Sequence, residues 1–157
     1  MPKSTPFGFT EMYIFLDAWS KFIAVYFGKS TKAAEMELVF KQFIADYGRY
    51  MAKGVPEEWY ADGGPEFKSA DLELFCAEMC TRRRFIAPWN PWMNVSETGW
   101  RIILRPLRIV MAASNVSVAL WPFAVAHIVK VHNSLSSSSL STSSDMHPVA
   151  TLAFAFA

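Results

Sequence analysis

The stretch from Trp59 to Glu97 most constrains what this chain can fold into, because it sets two acidic residues at boundaries between predicted elements. A short apolar run leads into Asp62, and the two glycines that follow predict a carboxylate at the end of a strand. Glu97 follows a loop rich in proline and asparagine, near the start of a helical pattern. Upstream, the apolar run that begins at Tyr13 ends at Asp17. Three carboxylates at element boundaries can converge, so the sequence predicts a shared site for divalent cations.

The length and composition of the chain fit one globular domain with a single core. Its 157 residues are 52% hydrophobic and 15% aromatic, which is enough to bury a core and argues against general disorder. The net charge is only +1, so any affinity for nucleic acid must come from local basic clusters. The apolar segment Val116–Val131 is shorter than the ~20 residues that span a bilayer, and Met1–Phe9 lacks the apolar part of a signal peptide. We therefore expect a soluble intracellular protein with no membrane segment.

Hydrophobic periodicity predicts strands and helices in a mixed order. Two apolar runs separated by a short polar turn predict a hairpin with Asp17 at the end of its first strand. The predicted strands are Glu11–Ala18, Phe22–Gly28, Glu57–Asp62 and Arg82–Ala87, and the predicted helices begin at Ser30 or Thr31, at Ser69, at Val95 and at Ser117, the last ending near Asn133. This order predicts an α/β domain with a central mixed sheet and helices on both faces.

The predicted helices carry three further expectations about burial and continuity. The first helix should bury one face, made of Met36, Val39, Phe40, Phe43, Ile44 and Tyr47. In the third helical pattern, Ile102, Ile103 and Val110 should face the core, and Pro106 should kink or break the helix, at ~3 kcal/mol if it is continuous. Two cysteines four residues apart, Cys76 and Cys80, form no disulfide framework, and we expect both to be buried apolar residues.

Five motifs occur in a fixed order along nearly the whole chain. They are Asp17-Ala18-Trp19-Ser20-Lys21-Phe22; Asp62-Gly63-Gly64-Pro65-Glu66-Phe67-Lys68-Ser69; Pro88, Pro91 and Asn94 before Glu97; Leu120-Trp121-Pro122-Phe123-Ala124 with Asn133; and His147-Pro148. Together they resemble the catalytic core of retroviral and retrotransposon integrases, which belong to the RNase H-like polynucleotidyl transferases.

The resemblance implies a site, a reaction and partners. Asp17 and Asp62 would be the two metal-ligating aspartates, and Glu97 would complete the catalytic triad around Mg²⁺ or Mn²⁺. The reaction would be DNA integration, by 3′-end processing and strand transfer, with DNA and further copies of the chain as partners, in the nucleus. Residues 1–133 would form the catalytic core, and residues 134–157 a serine-rich linker with an apolar tail.

Basic residues are the predicted contacts to nucleic acid. Arg101, Arg105 and Arg108 form one stripe of the third helical pattern and can contact phosphates, together with Asn94 in the loop before it. The alternative interpretation is an ordinary solvated face. The triplet Arg82–Arg84 lies in a predicted strand, where the middle side chain points opposite to its neighbours, so at most two share a face.

The sequence departs from the integrase pattern around Glu97, which leaves other interpretations open. Asn94 is followed directly by Val95 where the family has Asn-Gly, and the interval between the last two acids is one residue shorter than is common. Losing a glycine from this loop can displace Glu97. The chain is therefore interpreted as an integrase core, as an inactive retroelement-derived domain that retains binding or association, or as an RNase H-like nuclease that hydrolyses without joining.

Overall fold

A computed structural model of the chain describes residues 7–18, 20–51, 54–61, 64–85, 95–115, 117–137 and 150–153. The strands are β1 (Glu11–Asp17), β2 (Ile23–Gly28), β3 (Glu58–Ala61), β4 (Arg82–Phe85) and β5 (Ala150–Ala153). The α-helices are α1 (Ala33–Tyr47), α2 (Ala70–Glu78), α3 (Val95–Ser114) and α4 (Trp121–Ser137). The predicted order of elements is confirmed as far as α4, whereas β5 falls in the segment predicted as an apolar tail.

The strands form two sheets in the described residues. β1 pairs antiparallel with β2, where Leu16 lies opposite Ile23, and on its other edge with β5, where Asp17 lies opposite Ala150. β3 and β4 pair in parallel, and β5 also packs beside β3. The α/β class is confirmed. The described strands make one sheet of three and one of two, so the single central sheet predicted from the sequence is not seen in this part of the chain.

β1 lies at the centre of the core because it is buried on both faces. Tyr13 and Phe15 belong to a cluster with residues of α1, β3 and α2. Met12, Ile14 and Leu16 belong to a second cluster with residues of β2, α3 and α4. This alternation is the period of a β-strand, and each of the five side chains is at most 3% exposed. The run that leads to the first predicted catalytic residue is therefore fixed by packing on both sides.

An aromatic cluster around Phe15 joins β1 to α1 and β3. The Phe15 ring stacks on Phe43, with centroids 4.2 Å apart and planes 4° apart, and meets Phe40 and Trp59 edge-on at 5.7 and 5.9 Å. Trp59 contacts Phe40 and Phe43 in turn, at 4.6 and 5.6 Å. Stacked and edge-to-face arrangements are the favourable ones for aromatic pairs. The cluster thus holds the two strands that lead to the predicted aspartates against the same helix.

The predicted buried face of α1 is confirmed, but its predicted cap is wrong. Met36, Val39, Phe40 and Phe43 are buried, and Ile44 and Tyr47 pack against them partly buried. The N-cap residue is Lys32, without a side-chain capping bond, because the hydroxyl of Ser30 instead donates to Glu35 Oε2 at 2.6 Å. α2 begins as predicted, since Ser69 Oγ accepts the N–H of Leu72 at 3.3 Å.

The break that the sequence allows in α3 at Pro106 is not seen. The helix runs through Pro106 without interruption. Its buried apolar side chains Ile103 and Leu107 pack in the second cluster with α4, whereas Val110 is only half-buried. Tertiary packing of one apolar face outweighs the local cost of an internal proline, which is ~3 kcal/mol.

Two other expectations need correction. α4 continues to Ser137, past the predicted end near Asn133, and residues 138–149, which include most of the predicted serine-rich linker, lie outside the described residues. Cys76 is buried as predicted, but Cys80 is exposed, with a positive φ of 53° after the end of α2. Among the described helices, none is both long and apolar enough to cross a membrane.

Candidate active site

Asp17 ends β1 and closes a tight turn with β2. Its N–H donates to the carbonyl of Phe22, and its carbonyl accepts from the N–H of Lys21, both at 2.9 Å. Lys21 adopts a positive φ of 59°, the left-handed conformation that lets the chain reverse. The carboxylate Oδ2 accepts the N–H of Ser20 at 2.8 Å and also the Ser20 hydroxyl. The turn therefore holds the carboxylate in a defined orientation.

Asp62 and Glu97 are assigned to the site from the sequence alone. Asp62 comes directly after β3 and lies outside the described residues, and Glu97 lies in the first turn of α3, where its side chain is also outside them. Among the side chains that the structure describes, no three His, Cys, Asp or Glu residues gather into a metal-binding group. Two of the three predicted ligands are not among those side chains, so the convergence of the triad stays a prediction.

β5 lies between the two strands that lead to the aspartates. It pairs with β1 up to Asp17 and packs beside β3, the strand before Asp62. Adjacent strands lie ~4.8 Å apart, so an intervening strand separates the axes of β1 and β3 by about 10 Å. Carboxylates borne by these strands can share a pair of metal ions only if their side chains converge across the end of β5.

The arginine triplet of β4 divides between two faces, as strand alternation predicts. Arg82 and Arg84 share the carboxylate of Glu58 on β3, with guanidinium nitrogens 3.0 and 2.9 Å from Glu58 Oε1. The Tyr60 hydroxyl donates to Oε2 at 2.7 Å. This hydrogen bond is the largest cause of a lowered pKa of Glu58, and the two arginines lower that pKa further. Arg83 points to the inner face and donates to a main-chain carbonyl at 2.9 Å. Arg82 and Arg84 thus link β4 to β3 through ion pairs with Glu58.

The three arginines of α3 that were predicted to bind nucleic acid lie on the surface. Arg101, Arg105 and Arg108 are all exposed, and their spacing of four and three residues sets them on one side of the helix. Asn94, the fourth predicted contact, lies outside the described residues. An exposed basic stripe has the geometry that phosphate contacts require. Its role in binding stays a prediction.

A small cavity beside β3 does not offer a second site. It has a volume of about 10 Å³ and is lined mainly by apolar side chains, among them Trp59, Phe67, Cys76 and Phe85. A cavity of this size holds at most one water molecule. Burial here raises the pKa of the Cys76 thiol to about 11, which makes it an inert core residue.

Two residues of α4 contact the Asp17 turn, and one of them, Asn133, belongs to the fourth motif. His132 Nε2 lies 2.9 Å from the carbonyl oxygen of Lys21. The side-chain amide of Asn133 binds both backbone groups of Ile23, at 2.9 and 2.8 Å. These partners are 110 or 111 residues apart in the chain, so sequence periodicity carries no signal for them.

Solved structures share the fold of this mixed α/β core. A chain of the simian T-cell lymphotropic virus intasome in complex with PP2A regulatory subunit B56 gamma aligns with a TM-score of 0.61 and 18% identity, over 75% of this chain and 40% of that chain. The HTLV-2 integrase catalytic core domain in complex with magnesium aligns in its trimeric and dimeric forms with TM-scores of 0.56 and 0.55, each at 19% identity, over 75% of this chain and 70% and 69% of those chains.

The fold is therefore that of a retroviral integrase catalytic core, and the resemblance predicted from the motifs is confirmed at the level of the fold. No family model matches the sequence, and no curated protein matches it. The chain spans 40% of the intasome chain and about 70% of the core-domain chains. At this identity the comparisons establish architecture, and the chemistry has to be argued from the residues.

Proposed function

We propose that this chain is the catalytic core of a retroelement integrase, which processes DNA 3′ ends and transfers them to target DNA by metal-dependent phosphoryl transfer. The observation that carries the proposal is Asp17. It terminates the central strand of an integrase-like fold, it is the residue that the motif resemblance assigns as the first catalytic aspartate, and Ser20 orients its carboxylate.

Asp17, Asp62 and Glu97 would hold Mg²⁺ or Mn²⁺. Carboxylate oxygens are the ligands that such hard cations prefer, and a similar core domain is known in complex with magnesium. When bound, a pair of these ions supplies activation of the attacking water or 3′-hydroxyl and stabilisation of the leaving oxygen. The donor set of the chain fits this chemistry, because all three predicted ligands are carboxylates.

The described residues have two tasks in this mechanism. Ser20 donates to Asp17 from both its N–H and its hydroxyl, so the carboxylate keeps one orientation and loses little freedom when it binds a ligand. Arg101, Arg105 and Arg108 present positive charge along one side of α3 and would bind DNA phosphates. Binding through these arginines should weaken steeply as salt rises.

A 3′-processing and strand-transfer assay on short duplexes with Mg²⁺ tests the proposal. We expect the wild type to form both products, and Asp17→Asn to lower both rates by more than about 100-fold, because a charged group at the reaction centre is removed. The matched control is Asp71→Asn, which removes an exposed aspartate in the first turn of α2 and should leave both rates unchanged. Equal thermal melting of the variants excludes unfolding as the cause.

Each failure of this assay has a definite meaning. A folded wild type that neither binds Mg²⁺ nor forms products supports the inactive retroelement-derived domain. Cleavage products without joined products support an RNase H-like nuclease. If inserting glycine between Asn94 and Val95 restores activity to an inactive wild type, the shortened loop before Glu97 is the cause of the defect.

We also propose DNA and further copies of this chain as partners, with the nucleus as the place of action. The similar core domains occur as dimers and trimers, and integration requires access to target DNA. Sedimentation velocity across a concentration series tests self-association. A single monomeric species at all concentrations would contradict the oligomer, and nuclear exclusion of the tagged full chain would contradict the location.

A further inference from the structure

The C-terminal half of α4 forms hydrogen bonds with the hairpin that carries Asp17. Asn133 Oδ1 accepts the N–H of Ile23 at 2.9 Å, and Asn133 Nδ2 donates to the carbonyl of the same residue at 2.8 Å. One side chain thus holds both backbone groups of the first residue of β2. Ile23 is fully buried, so these groups would otherwise lose their partners at a substantial cost.

The position of Ile23 explains why the contact exists. β2 is an edge strand in the described sheet, with β1 on one side only. Ile23 lies opposite Leu16 in the β1–β2 register, and its N–H and carbonyl point to the open side of the strand. Backbone groups on such an edge need a partner other than a strand. The side-chain amide of Asn133 has a carbonyl oxygen that accepts and an NH2 group that donates, so it supplies a partner for both groups.

A neighbouring residue of α4 forms a further hydrogen bond, with the backbone of the turn. His132 Nε2 lies 2.9 Å from the carbonyl oxygen of Lys21. A carbonyl only accepts hydrogen bonds, so Nε2 must carry a proton and donate. Lys21 adopts a left-handed conformation in the turn, at φ 59°. His132 and Asn133 therefore fix backbone groups on both sides of Phe22, the residue whose carbonyl accepts the N–H of Asp17 at 2.9 Å.

The contacts form a continuous chain from α4 to the carboxylate. α4 fixes Lys21 and Ile23, these residues set the path of the turn, and the turn sets Ser20, which donates twice to Asp17 Oδ2. We propose that Asn133, supported by His132, is a positioning residue that sets the orientation of the Asp17 carboxylate. The effect of this role on catalysis rests on the proposed function. The chain of hydrogen bonds itself does not depend on any reaction.

Three variants of the full chain test the proposal. Asn133→Leu removes both hydrogen bonds to Ile23. Asn133→Asp keeps an acceptor for the N–H of Ile23 but turns a carboxylate oxygen toward its carbonyl. Val131→Ala, a truncation at an exposed site on the same helix, is the control.

The first readout is amide hydrogen exchange and ¹⁵N chemical shift at Ser20 and Ile23. Both Asn133 variants should raise the exchange rates of these amides about 10- to 100-fold at pH 7 relative to the wild type, and the control should not. Lowering the pH should protonate the introduced carboxyl of Asn133→Asp, which then donates to Ile23 as the amide did. The Ser20 shift should return toward that of the wild type at the same pH in Asn133→Asp but not in Asn133→Leu.

A merely structural role would not produce this pattern. Comparison with the wild type and with Asn133→Leu at the same pH cancels the effects of acid on the other groups, so a recovery seen only in Asn133→Asp reports on position 133. The proposal is overturned if the Ile23 amide loses protection while the Ser20 amide and its shift stay as in the wild type. It is also overturned if acid recovers neither amide in Asn133→Asp.

The second readout is strand transfer with Mg²⁺. Both Asn133 variants should lower kcat about 10- to 100-fold with KM for DNA unchanged, since a misplaced catalytic group affects the chemical step more than binding. If kcat is unchanged while the exchange rate of the Ser20 amide is altered, the proposed effect of Asn133 on catalysis is wrong. A wild type without activity would refute the proposed function, while the exchange and shift measurements would still decide whether α4 sets the Asp17 turn.

Discussion

Replacing Phe15 with alanine should destabilise the protein by about 3–5 kcal/mol, the range for removing a buried aromatic side chain from a core. Phe15 is 2% exposed and stacks on Phe43 at 4.2 Å, with Phe40 and Trp59 edge-on at 5.7 and 5.9 Å. The truncation opens a cavity between β1 and α1 that can close only if the helix moves. Aromatic pairs contribute about 0.5–1.5 kcal/mol beyond area burial, which favours the upper half of the range.

Urea unfolding followed by tryptophan fluorescence and far-UV circular dichroism measures this loss. With an m value of about 2 kcal/mol per molar urea, a loss of about 4 kcal/mol lowers the midpoint by about 2 M. Phe7→Ala is the matched control, because Phe7 is 43% exposed and contacts Phe9 and Phe123 at 5.8 and 5.5 Å. The same truncation at this surface should cost about 1 kcal/mol or less.

The comparison of the two variants decides whether the aromatic cluster is the main support of β1. A loss below about 2 kcal/mol for Phe15→Ala, or equal losses for Phe15→Ala and Phe7→Ala, would refute the reasoning. Phe15→Leu keeps most of the buried volume and should recover more than half of the stability. If it recovers none, the ring contacts and not the cavity dominate.

Three further predictions concern a helix, two thiols and an ion-pair network. Pro106→Ala should raise the free energy of unfolding by about 1–3 kcal/mol and Tm by about 3 °C or more, because it restores a helical hydrogen bond; an unchanged Tm would contradict this. Iodoacetamide at pH 8 should alkylate exposed Cys80 in the native protein and buried Cys76 only after unfolding, since burial raises the pKa of Cys76 to about 11, and intact mass should show one adduct. A tyrosine hydroxyl and two arginines lower the pKa of Glu58, so its contribution to stability is present above the ordinary glutamate pKa and lost as pH falls through the lowered value. Glu58→Gln should therefore flatten the decrease in Tm below about pH 4.5, whereas the exposed control Glu78→Gln should keep the wild-type profile.

The elements that the sequence predicts well are those whose signal is local. The alternation in β1 and the spacing of the buried residues of α1 reflect the geometry of a strand and of a helix, and both elements form where predicted. The cap of α1 fails because Ser30 has a competing partner in Glu35, which a capping pattern does not represent. The break at Pro106 fails because Ile103 and Leu107 pack against α4, a tertiary contact that overrides the local preference.

The candidate site likewise has a part that a local signal predicts and a part that depends on long-range contacts. An apolar run that ends in an acid is a local signal, and it identified Asp17 at the end of β1. The orientation of that carboxylate depends on Ser20 within the turn and on Asn133, which is 110 residues from Ile23 in the chain. β5 adds a second long-range effect, because it pairs with β1 and thereby sets the distance to β3.

The presence of the three acids and the orientation of Asp17 are therefore separate conditions for activity in this fold. The motifs around Asp17 and Asp62 can persist in full while a change on α4 turns the carboxylate away, since His132 and Asn133 bind the turn from a helix that carries none of the three predicted catalytic acids. Conversely, the departures near Glu97 abolish activity only if they displace that side chain relative to Asp17. Whether the core is active thus depends on the geometry at the ends of β1, β3 and α3 together, and a count of intact motifs cannot replace a measurement of strand transfer.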